Sequence, residues 1–199
     1  MKRIGSVMLC CVGVAAIGAG AALADGGSST PNPNQVAAKQ CTNELHTMGV
    51  KAFKALYGDN APKYKHAMRN CQRQHGKSGK RAVNNAAQQC KIERADPNFA
   101  AGHGGLTFDQ VYGTNHNGRN AFGKCVSSKV RSTEAQQEEN LQNAAQQCRA
   151  ERGDAGFAAT HGGKSFTDFY GKNHNKKNAF GKCISRKAKA QGTTPPPTT

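Results

Sequence analysis

The chain has 199 residues, with 28 Lys and Arg against 12 Asp and Glu, a net charge of +16, no Trp and only 6% aromatic residues. So few large rings argue against one extensive hydrophobic core and favour several small, cross-linked units. The positive balance suits an anionic partner, although the same excess also keeps a protein soluble.

Lys2 and Arg3 open the chain, residues 4–23 are apolar or small, and Ala22-Leu23-Ala24 is a small-x-small cleavage site. This is the layout of an export signal, so residues 1–24 are expected to be removed and the mature chain to begin at Asp25. An uncleaved anchor is the alternative. The Gly and Ala content makes the stretch weakly apolar for a stable span, and a flexible linker follows it. Cys10 and Cys11 lie inside the apolar run, not at its end, where a lipoprotein cysteine belongs. After cleavage the net charge is +14 and six cysteines remain, at 41, 71, 90, 125, 148 and 183. No other segment is expected to span a membrane. An even count in an exported chain reads as disulfides. The absence of C-x-x-C removes zinc-ribbon and thioredoxin-type readings.

Residues 25–35 read as a Pro-interrupted flexible linker and residues 191–199 as an extended Pro/Thr tail. Between them the chain repeats itself. Residues 83–130 align without a gap to 141–188 with 29 identities in 48 positions. Both copies share N-A-A-Q-Q-C, E-R-x-D, F-A-A-x-H-G-G, N-H-N and N-A-F-G-K-C. A shorter, diverged copy occupies 36–76, and the third unit extends over 133–190. The N-A-A-Q-Q-C-x-x-E-R runs are good helix formers. Pro97 should end the helix before it, and Thr133 with Gln136 reads as a capping box opening the third unit. Phe108, Val111 and Tyr112, like Phe166, Phe169 and Tyr170, fall on one face of a short helix. Gly113 and Gly171 are placed for a positive φ. The fold class is therefore all-α: tandem disulfide-stapled helical hairpins in three repeat units.

Six cysteines allow fifteen connectivities. In an antiparallel hairpin the start of the first helix lies beside the end of the second, where each unit carries its two cysteines. This predicts Cys41–Cys71, Cys90–Cys125 and Cys148–Cys183, with swapped pairing between neighbouring units as the rival. Glu44, Glu93 and Glu151 follow each opening cysteine by three residues. Lys124 and Lys182 precede two of the closing ones, so an interhelix ion pair is expected beside the bridge.

The candidate chemistry is thin. His103 with His116, and His161 with His174, could ligate zinc or copper with Asp96 or Asp154 in support; the simpler reading is two turn histidines bonded to backbone. A secreted enzyme or toxin would require Glu93, Asp96 and His116 to converge, and no nucleophile motif is present. Lys77, Lys80 and Arg81 read as part of a linker between the first two units. Lys172, Lys176, Lys177, Lys182, Arg186, Lys187 and Lys189 crowd the end of the last unit. The first six of these are the candidate polyanion-binding residues, with an anionic envelope polymer or extracellular polyanion as the partner. No sequence-specific nucleic-acid motif and no cofactor signature occur.

Residues 112–125 (Y-G-T-N-H-N-G-R-N-A-F-G-K-C) and 170–183 (Y-G-K-N-H-N-K-K-N-A-F-G-K-C) resemble a motif of secreted actinobacterial proteins that also combine an export signal with an opening Cys. The resemblance implies export and a bacterial source, and it brings no activity with it. Unit one departs from it, with A-M-R-N-C at 67–71, as a structural cap would. The expected protein is thus an exported, non-enzymatic repeat protein with a basic surface.

Overall fold

The computed structural model describes residues 30–58 and 64–192; residues 1–29, which include the expected export signal, 59–63 and 193–199 lie outside this range. Eight helices and no strand occur among the described residues: α1 Pro33–Tyr57, α2 Lys65–Ala95, α3 Phe99–Gly102, α4 Phe108–Tyr112, α5 Ala121–Gly153, α6 Phe157–Thr160, α7 Phe166–Tyr170 and α8 Ala179–Gly192. None is long and apolar enough to cross a membrane. Three disulfides join Cys41 to Cys71, Cys90 to Cys125 and Cys148 to Cys183, the pairing expected from hairpin geometry.

Helix α1 begins three residues before 36, because Asn32 accepts a hydrogen bond from the Asn34 N–H and Pro33 suits a first-turn position. It bends at Gly49 (φ 79°, ψ 160°) and stops at Gly58 in the left-handed conformation. Helix α4 carries a capping box from Thr107 and Gln110.

The expected breaks between units are absent. Lys77, Lys80 and Arg81 lie inside α2, a 31-residue helix holding both Cys71 and Cys90. Likewise α5 runs 33 residues through Cys125 and Cys148, and the expected cap Thr133 is mid-helix, its hydroxyl donating to the Lys129 carbonyl. The run G-K-S-G-K looks like a breaker, but Gly79 is where α1 crosses α2. A Cβ there would lie 2.5 Å from the Pro33 carbonyl oxygen. Glycine costs a helix interior about 0.5–1 kcal/mol, and here it permits the close crossing. At the far end α8 continues through Gln191 and Gly192, so the tail starts later than 191.

The first and last hairpins share one core, in which Phe53, Leu45 and Met48 pack with Leu141, Ala144, Phe157 and Ile184. The middle hairpin has its own, built from Phe99, Phe108, Val126 and Val130 with Val36 from α1. The chain therefore folds back, and α1 packs against α5 and α8 as well as α2.

Gly113 and Gly171 do not use positive φ; both are extended, at −71° and −69°. Their missing side chains answer to space, since a Cβ would fall 2.3 Å from the Asp109 carbonyl oxygen or 2.4 Å from that of Thr167. Positive φ falls instead on Gly104, Gly105, Gly118, Gly162 and Gly163, and on Lys176 at 54°.

Candidate functional site

Beside each disulfide sits the same trio. Glu93 accepts from the Tyr112 hydroxyl at 2.9 Å and from Lys129 Nζ at 2.6 Å. Glu151 accepts from Tyr170 at 2.9 Å and pairs with Lys187 at 2.7 Å. In the first hairpin Glu44 accepts from Tyr57 and lies 3.0 Å from His75 Nε2. The glutamate's second partner is thus the residue four after the closing cysteine, not the Lys124 or Lys182 that precedes two of them. On a helix i and i+4 share a face, whereas i−1 points about 100° away. A glutamate oxygen lies 3.8 Å from the Sγ of Cys125 and of Cys183. Because a bridged sulfur carries no hydrogen, this is packing and not donation.

Burial pushes Glu93 and Glu151 up, but hydrogen bonds from lysine and tyrosine, together with the lysine charge, outweigh it and hold both below the usual glutamate value. Their stabilisation is therefore present above the unfolded-state pKa of about 4.3 and lost as pH falls through the lower folded value. The melting temperature should stay level from pH 7 to about 5 and drop below about 4.3. Glu93→Gln should flatten part of that drop; a melting temperature equally flat in both proteins down to pH 3 rejects the assignment. Each pair is partly solvated and worth under about 1 kcal/mol. On the alkaline side Tyr170 is pushed up to about 12, chiefly by burial and then by Glu151.

Two of the four candidate histidines, His103 and His161, meet backbone as the simpler reading expects. The rings of His103 and His161 stack on Phe99 and Phe157 at 3.8 Å, and each Nδ1 lies 2.8 Å from the carbonyl oxygen of the same Phe. His116 and His174 are exposed in the turns before α5 and α8. Among the described residues the cluster of three potential metal ligands is Cys41, Cys71 and His75, and its two sulfurs are bonded to each other. Glu93 and Asp96 each have their own role: Asp96 accepts from the Asn98 N–H and turns the chain out of α2.

The basic candidates divide. Lys187 is held by Glu151, and the Arg186 guanidinium lies 5.5 Å over the Phe169 ring. Lys172, Lys176 and Lys177 are exposed on the turn between α7 and α8. Lys182 lines an open cleft of about 580 Å³ between α1, α2, α5 and α8. Arg81 of α2 and Lys189 of α8 line the same cleft. None of these three has a carboxylate within ion-pair distance among the described residues. The one acid in the lining, Glu44, is 4% exposed and engaged by Tyr57 and His75. Arg81 is expected in a linker and nothing in the sequence signals the cleft, because Arg81 and Lys182 are 101 residues apart in the chain.

Comparison of the chain with protein-family models, with curated proteins and with solved structures finds no match.

Proposed function

We propose that the mature chain is an exported, non-enzymatic binder of anionic polymer, engaged through the cationic strip from the α7–α8 turn along α8 into the cleft. The observation that carries this reading is the unpaired charge. Lys172, Lys176, Lys177, Lys182 and Lys189 have no acidic partner among the described residues, although 12 acidic side chains exist in the chain. Cations left without counter-charge raise the local concentration of anions and speed their capture. Lys176 adds weight to the reading. It holds φ 54°, where its counterpart in the other copy, Gly118, adopts φ 64°. A left-handed non-glycine residue costs about 1–2 kcal/mol, so a cation stands where a glycine fits with less strain.

Retention on immobilised heparin tests the reading. The protein should bind at low ionic strength and elute as salt shortens the screening length towards about 3 Å at 1 M. A double variant, Lys176→Gly with Lys177→Gln, should elute at lower salt. Its stability should change by no more than about 1 kcal/mol, because relief of strain and added chain entropy oppose each other. No retention even at low salt overturns the proposal.

A further inference from the structure

The cleft between α1, α2, α5 and α8 is more than a stretch of basic surface. Its volume of about 580 Å³ lies in the range of small-molecule sites. Three cations reach it from two helices, Arg81 from one side and Lys182 and Lys189 from the other. Between them stand the side-chain amides of Gln40, Gln74 and Gln137, which have no hydrogen-bond partner within the protein among the described residues. An amide presents two donors and an acceptor, so this lining can serve a ligand with hydroxyl groups on several sides. Leu56, Leu141 and Ala188 supply apolar wall.

These features discriminate among anions. A nucleotide base stacks best on an open aromatic face, and the two rings in the lining are both engaged: Tyr57 is 7% exposed with its hydroxyl given to Glu44, and the His75 ring packs edge-on to Tyr57 with Nε2 3.0 Å from Glu44. A lipid chain needs a long apolar channel, whereas this lining alternates amide, cation and short aliphatic groups. An acidic sugar fits each part. Its carboxylate or sulfate meets the cations, its hydroxyls meet the amides, and its C–H face meets the leucines.

We infer that the cleft is a binding site for one anionic saccharide unit, a uronate or sulfated sugar, seated between Arg81 and Lys182/Lys189. The inference rests on the polymer-binding reading and sharpens it, since the exposed turn then holds the rest of the polymer while the cleft selects the unit. Lys182 and Lys189 are seven residues apart, two turns of one helix face, which is about 10 Å of travel and spans a sugar ring with its substituents.

Titration calorimetry of the full mature protein with a heparin-derived tetrasaccharide tests it, with neutral maltotetraose as the control. Saturable one-to-one binding of the first and none of the second is expected. Arg81→Gln with Lys189→Gln should weaken that binding by at least about tenfold, as loss of charge-assisted contacts predicts. Lys176→Gly with Lys177→Gln should change it less than about threefold. In the unaltered protein, amide NMR shifts on adding the tetrasaccharide should centre on residues 137–141 and 182–192, a readout that needs no variant to fold. Equal weakening by both variants, shifts centred on residues 172–177, or binding of maltotetraose overturns the assignment. If the heparin column retains the protein but the tetrasaccharide gives no saturable binding, the cleft assignment falls and the polymer reading stands; if neither binds, both fall.

Discussion

Replacing Cys90 and Cys125 together by alanine should lower stability by about 3.5–4 kcal/mol. The closed loop spans 35 residues in sequence, and chain entropy released in the unfolded state scales with its logarithm. The effect should be local in a way the other bridges would not show. The middle hairpin keeps its own small core, so its short helices α3 and α4 depend on that bridge more than on neighbours. Hydrogen exchange should report early loss of protection over residues 99–120, with the shared core of the first and last hairpins still protected. Local loss of this kind is the expected outcome for the double variant. A loss under about 1 kcal/mol, or uniform loss of protection, would contradict it.

The second large effect belongs to Phe53. Its ring is completely buried in α1, in the core shared with α5 and α8, and lies 4.9 Å from that of Tyr57. Phe53→Ala removes that ring from a site with neighbours on three helices, which places the loss at about 3–5 kcal/mol. Because the first and last hairpins are packed on each other, one cooperative transition should shift, with the urea m-value unchanged. Two separate transitions, with the Cys148–Cys183 hairpin melting as before, would show that they fold independently.

Much of the fold was legible because its main constraints are local. Cysteines at hairpin ends identify the bridges, Pro97 marks a helix limit, and Phe108 to Tyr112 recur at helical spacing, whereas the box expected at Thr133 and Gln136 falls inside α5 and the one that forms is at Thr107 and Gln110. What escaped reading depends on contacts between distant segments. Gly79 looks like a breaker until the Pro33 carbonyl is seen beside it. Lys129 is an unremarked residue until Glu93 faces it across the hairpin. The same holds for the candidate site. Lys182 was visible as a charge, but its distinction from Lys187, five residues on, comes from Glu151 lying opposite that part of α8, and its distinction from Arg186 from the Phe169 ring under the guanidinium. Arg81 gains its meaning only when α8 arrives from the far end of the chain.

The unbroken passage of α2 and α5 from one bridge to the next makes each helix behave as a geared shaft. Cys71 and Cys90 are 19 residues apart and Cys125 and Cys148 are 23 apart, so at about 100° per residue the paired teeth stand roughly 100° and 140° apart around their axes. Inserting one residue into either shaft would rotate everything beyond it by about 100° and advance it by about 1.5 Å. The last hairpin would then swing off the first. Spacer lengths can therefore change only in near-whole turns, and the difference of four residues between the two shafts is close to one such step.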